Sequence, residues 1–190
     1  MVDMQQEGAA KFLEGYKVYM RPIEAQEAEL YLSLLNDNEV RRLTGTKPVF
    51  GQEATRSYLE AKRQDASEVL LWIVDKRTDE PVGDIQLMDV DHSNRSAGIR
   101  IAITTEHQGQ GYGSEAMDIL LDYAFGVLNL HRIELNVFDY NERARHVYKK
   151  LGFVEEGIQR EALYYNHQYY DSVIMSILED EYRLRKARKL

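Results

Sequence analysis

The sequence predicts a single mixed α/β domain, with one central sheet of about six or seven strands flanked by helices. Three observations lead there. The chain has 190 residues, the length of one domain. It is 44% hydrophobic and 29% charged, enough to build a core. Apolar runs of strand character and amphipathic stretches of helical period follow one another as β-α-α-β-β-β-α-β-α-β-β, not as a regular βαβ alternation. Residues 16–182 are expected to form this domain, after an N-terminal extension at 1–15 and before a basic tail at 183–190.

Val18-Tyr19-Met20 reads as a first strand, stopped by Arg21-Pro22. Ile23 to Leu35 reads as an imperfect amphipathic helix. Gly45 to Gly51, with Pro48, is a loop, and Gln52 to Gln64 a second helix with Glu53 in its first turn. Leu70 to Val74 is an almost continuous apolar run, hence a buried strand. Strands follow at Val82 to Val90 and Ala97 to Thr104, separated by the turn Asp91-His92-Ser93-Asn94-Arg95. Thr105 to Gly113 is a polar loop rich in glycine. Ser114 to Leu130 is a helix with Met117, Leu120, Leu121, Ala124 and Leu128 on one face. Arg132 to Phe138 is a strand. Asn141 caps a short helix that runs to Leu151, and Gly152 supplies its left-handed end. Strands near 154–165 and 169–178 close the chain as a hairpin around Asn166-His167-Gln168.

Composition narrows the chemistry. The chain has no cysteine, which excludes disulfides, thiolate catalysis and Cys-ligated metal sites. The five histidines show no metal-ligand spacing, so no metal is expected. The net charge is −8, and five basic residues fall in 183–190, so the body is more acidic still. Such a body repels nucleic-acid phosphate and attracts cations. No apolar run has the length of a membrane span and no secretory signal is seen, so a cytoplasmic protein without a membrane partner is expected.

One loop stands out. Gln108-Gly109-Gln110-Gly111-Tyr112-Gly113 lies between a strand and a helix. Its glycines let the backbone approach a ligand, and unpaired amides at a helix start suit an anion such as a diphosphate. The spacing fits neither the dinucleotide fingerprint nor a P-loop, and alone it suits an ordinary turn equally well.

Asn141 and Tyr148, two helical turns apart, are followed by Leu151-Gly152-Phe153. The Gln-x-x-Gly-x-Gly loop and this Asn-x6-Tyr-x-x-Leu-Gly-Phe pattern together resemble the GNAT superfamily of N-acetyltransferases. Met20-Arg21-Pro22-Ile23, Phe125-Gly126-Val127-Leu128-Asn129-Leu130-His131-Arg132, Gly152-Phe153-Val154-Glu155-Glu156-Gly157 and Tyr170-Asp171 resemble its branch of ribosomal-protein and polyamine acetyltransferases. Asn166-His167 departs from the Asn-Gly common in that branch.

The resemblance implies acetyl-CoA as cosubstrate and a sheet whose two central strands splay apart, here 97–104 and 132–138. It implies that the backbone of Ile101, Ala102 and Ile103 pairs with the pantetheine arm. Gln108, Gly109, Gln110, Gly111, Tyr112, Gly113 and Ser114 would hold the diphosphate, and Asn141 would bond the cofactor arm. Tyr148 would be the catalytic acid that reprotonates the departing thiolate, which a phenol of pKa ~10 can do against a thiol of ~8.5. The amine attacks directly in a ternary complex. The acceptor it implies is a polyamine such as spermidine or a protein N-terminal amine, that of a basic ribosomal protein included, and a homo-oligomer through an edge strand or hairpin is compatible with the branch. Glu106, Glu134 and Asp84 are carboxylates that a base or a water path would draw on, none of them singled out. Acceptor loops are expected at 36–65 and 160–170. The competing reading is a non-catalytic acyl-CoA sensor on the same fold.

Overall fold

A computed structural model of the chain describes residues 10–188. Residues 1–9 of the expected extension and 189–190 of the expected tail lie outside the described residues. The strands are β1 (Leu13–Glu14), β2 (Val18–Pro22), β3 (Val69–Asp75), β4 (Pro81–Asp91), β5 (Ser96–Ile103), β6 (Arg132–Phe138), β7 (Val154–Tyr165) and β8 (Gln168–Leu178). They form one sheet in the order β1-β2-β3-β4-β5-β6-β8-β7. The helices are α1 (Ala28–Asn36), α2 (Asn38–Thr44), α3 (Gln52–Gln64), α4 (Tyr112–Gly126), α5 (Glu142–Leu151) and α6 (Glu179–Ala187).

Strand alternation sorts β5 between two cores. Ala97, Ile99, Ile101 and Ile103 face a large cluster built with Met117, Leu120, Leu121 and Phe125 of α4. Ala102 faces a smaller cluster with Tyr31 of α1, Val40 of α2, Leu59 of α3 and Trp72. Leu120 and Leu121 are fully buried, and each such side chain contributes roughly 1.5–3 kcal/mol.

Pairing around β5 is unequal. On one side it pairs antiparallel with β4 from Gly83↔Ile103 to Asp91↔Ser96. On the other it pairs parallel with β6 only at Ser96↔Arg132, Ala97↔Ile133 and Gly98↔Glu134. Beyond Gly98 the two strands separate, so 99–103 keep a strand edge open toward β6. This is the splay that the resemblance implies.

Several boundaries differ from the sequence reading. The sheet has eight strands rather than six or seven, the extra one being the two-residue β1 within the expected extension. Ile23 does not begin a helix. A 3-10 turn, Ala25–Glu27, precedes α1, because the Glu27 carboxylate accepts from the Glu24 N–H (2.9 Å) and pairs with Arg21 (2.7 Å). The short α2 was not foreseen. Asp37 caps it, accepting from the N–H groups of Glu39 and Val40 (2.9 and 3.0 Å), and Gly45 ends it at φ 67°. The helix expected at 114–130 runs instead from Tyr112 to Gly126. It stops early because Asn129 turns left-handed (φ 56°), which lets the Leu130 N–H bond to Ala124 O (3.0 Å) and buries Leu130 completely. At the C-terminus α6 runs through position 182 to Ala187.

Candidate active site

The open edge of β5 leads straight into the glycine loop. A 3-10 turn at Thr105–His107 carries the chain over. The Thr105 hydroxyl donates to the Asp37 carboxylate (2.7 Å), which joins this turn to α2 across the mouth of the gap. Burial alone would raise Asp37, but the donors on Val40, Thr105 and Glu39 outweigh it and hold the carboxyl below its ordinary value.

Gly109 and Gly111 take φ values of 77° and 88°, which side chains disfavour. A Cβ on Gly109 would meet nothing, so its glycine is explained by conformation alone. Gly113 has a different reason: a Cβ there would lie 3.3 Å from Ile103 Cγ1, so glycine lets α4 start close against β5. No side chain caps α4. The N–H groups of Gly111, Tyr112, Gly113 and Ser114 have no acceptor among the described residues. These unpaired donors, the helix dipole behind them and the open space at Gly109 fit the diphosphate of coenzyme A.

Side chains of the loop mostly support it. Gln108 Nε2 donates to Ile103 O (3.0 Å) and Gln110 Nε2 to Glu106 O (3.1 Å). Tyr112 turns inward, donating its hydroxyl to Asp75 Oδ2 (2.9 Å), so it offers the loop its main-chain N–H and not its ring. Arg143 of α5 donates to the Gln108 side-chain oxygen and ties the loop to the far wall of the gap.

That far wall is α5. Asn141 caps it, its Oδ1 accepting from the Ala144 N–H (3.2 Å). Tyr148 lies two turns on, its ring 5.9 Å from that of Phe153. Its hydroxyl makes no hydrogen bond among the described residues. Burial pushes that hydroxyl up to about 12, so it stays protonated through the neutral range.

The three carboxylates do not converge. Asp84 is buried and ion-paired to Arg100 (2.6 Å), Glu134 lies against Arg132 (3.1 Å) at the surface, and Glu106 is exposed beside His107 (3.7 Å). Tyr164 and Tyr169, paired across the β7–β8 hairpin, are both exposed, whereas Tyr170 meets Tyr140 edge to face at 4.7 Å. Lys17 and Arg143, two cations that flank the loop, escaped the sequence reading. Arg143 carried a signal: a basic residue in the first turn of a helix opposes the dipole and asks for a reason. Lys17 carried none, because only the fold brings it near residue 110.

Comparison with known proteins identifies the family. The family described as "Acetyltransferase (GNAT) domain" matches residues 17–154. A spermidine N(1)-acetyltransferase of Escherichia coli (strain K12) is 31% identical over 168 residues, 88% of this chain and 89% of that protein. YdaF of Bacillus subtilis, a protein of ribosomal N-acetyltransferase type, is 38% identical over 104 residues, 55% of this chain and 57% of its own length. The crystal structure of the Vibrio cholerae spermidine N-acetyltransferase in complex with CoA and spermine superimposes with a TM-score of 0.83 at 29% identity, covering 88% of this chain and 98% of that one. The chain therefore belongs to the GNAT acetyltransferase family and is an acetyl-CoA-dependent N-acetyltransferase.

Proposed function

We propose that this acetyl-CoA-dependent N-acetyltransferase acetylates a primary amine of a polyamine such as spermidine, by direct attack in a ternary complex. The observation that carries the reading is the open edge of β5 running into the unpaired amides of 111–114, with α5, the helix of Tyr148, tied to that loop through Arg143. The polyamine half draws on the likeness to spermidine acetyltransferases over most of the chain and on a net charge of −8, which attracts a polycation.

The roles follow from chemistry. Acetyl-CoA supplies an activated acyl group as a thioester. The main chain of Ile101, Ala102 and Ile103 holds the pantetheine arm as a neighbouring strand would. Gln108 to Ser114 hold the diphosphate through main-chain N–H groups, and Asn141, whose Oδ1 is already engaged in capping, offers its NH2 to the arm. The neutral amine attacks the acyl carbon, its C–N bond forms as the C–S bond breaks, Tyr148 gives its proton to the sulfur, and the proton that the nitrogen sheds on becoming an amide restores the Tyr148 phenol. A side-chain-like amine of pKa ~10.4 must first lose a proton, at a cost of about 4.6 kcal/mol at pH 7. That proton leaves to solvent. Turnover at low amine concentration therefore rises with pH toward the amine pKa, since Tyr148, at about 12, remains an acid throughout.

A protein N-terminal amine is the second acceptor, favoured by the likeness to YdaF. Thiol release measured with spermidine, spermine, simple diamines and N-terminal peptides separates the two. Turnover on polyamines with none on peptides is the expected result. Turnover on peptides alone moves the acceptor to protein N-termini. Coenzyme A binding without turnover on any amine removes the catalytic role of Tyr148.

A further inference from the structure

We infer that Lys17 is a cofactor-binding residue, its ammonium clasping the diphosphate of coenzyme A from the side opposite α5. Lys17 Nζ donates to Gln110 O at 2.9 Å, and a Cβ on Gly111 would lie 3.5 Å from it. The ammonium thus stands directly in front of the loop. The N-terminal pole of α4 beside it is positive, offset within the helix by Glu115 of the first turn. No carboxylate forms an ion pair with Lys17 among the described residues. The adjacent Glu115 is already engaged: its Oε1 accepts from the Lys17 N–H (2.8 Å) and the Val18 N–H (3.4 Å).

The main chain around Lys17 is fixed as if to deliver that side chain. Lys17 O accepts from the Lys76 N–H at 2.9 Å, and the turn that holds Lys17 closes with the Gly15 N–H donating to Val18 O at 2.8 Å. A Cβ on Gly15 would come within 2.3 Å of Glu115 Oε1 and 2.5 Å of Ile119 Cδ1, so glycine there lets the β1–β2 turn dock onto the first turn of α4. A lysine and a positive helix pole are brought together by this docked turn, and the carboxylate beside them, Glu115 in the first turn of α4, is engaged by main-chain N–H groups and not by the Lys17 ammonium. An anionic ligand completes the arrangement, and a charge-assisted hydrogen bond from Lys17 to a diphosphate oxygen is the contact it would make.

The inference rests on the reading that 109–114 hold the diphosphate, and calorimetry can separate the two. Coenzyme A and dephospho-coenzyme A are titrated into the full chain and into Lys17→Gln. The expected result is binding of both ligands by the wild type and about 10-fold weaker binding of both by the variant, with an unchanged ligand-free melting temperature because the side chain is exposed. The difference narrows in high salt. Equal affinity of variant and wild type for coenzyme A overturns the role of Lys17. So does a loss seen with coenzyme A and absent with dephospho-coenzyme A, which assigns the ammonium to the 3′-phosphate. No heat from the wild type with either ligand overturns the diphosphate reading of the loop itself.

Discussion

The two sides of the gap are each braced by an arginine and a carboxylate, on opposite principles. On the β5 side Arg100 donates to Asp84 Oδ2 (2.6 Å), to the Tyr31 hydroxyl (3.0 Å) and to Gln86 Oε1 (2.7 Å), and the chain of contacts runs on through Glu68 to Lys62. Asp84 is 1% exposed and its Oδ1 has no partner. On the β6 side Arg132 holds Glu156 through two bonds (2.6 and 2.8 Å), joined by Ser176 and Glu134, at the surface. A buried brace is rigid and costly to break, whereas an exposed one is adjustable and sensitive to pH. The rigid side is the one proposed to pair with the cofactor arm. The edge proposed to accept the cofactor arm is thus the one braced by a buried ion pair.

Breaking the buried brace should have the largest effect. Arg100→Met strands a carboxylate in the core and should lower stability by about 3 kcal/mol, read as a fall in the urea midpoint at unchanged slope. Adding Asp84→Leu should restore most of that loss, because no buried charge then remains. A midpoint unmoved by Arg100→Met would deny the brace its role.

Tyr148→Phe removes the proposed proton donor and leaves both braces intact. Turnover should fall by about 10²-fold with coenzyme A affinity unchanged. Undiminished turnover would reject the proton donation assigned to it.

The surface brace should show the smallest effect, and only in acid. Hydrogen bonds from Arg132 and Ser176 hold the Glu156 carboxyl down at about 2 against an ordinary 4.5. A depressed carboxylate stabilises the fold above its unfolded value and loses that contribution as pH falls through the folded one. Glu156→Gln should therefore cost a little stability near neutrality, with the cost shrinking through acid and vanishing only below about pH 2. Solvent screening keeps the difference below about 1 kcal/mol. A gap that widens on acidification would contradict the sign.

Much of this was legible in the sequence. The strand before the loop, the glycine spacing and the Asn-x6-Tyr helix were legible because their signals are local: periodicity, capping and backbone conformation. The seven-residue α2 was not, since it buries only Val40 and offers too little periodicity to register, although Asp37 and Gly45 bracket it as caps. Lys17 and the Arg100–Asp84 pair depend on contacts 93 and 16 residues apart in sequence, which no local pattern encodes. The early stop of α4 turned on Asn129 adopting a left-handed conformation inside an apparently continuous helical pattern.

Amide hydrogen exchange, with and without coenzyme A, addresses the open edge of β5 most directly. Slower exchange confined to 99–104 and 109–115, with the exposed strand β7 unchanged, is the predicted outcome. Binding that leaves 99–104 exchanging as before would mean that the cofactor arm does not pair with this strand.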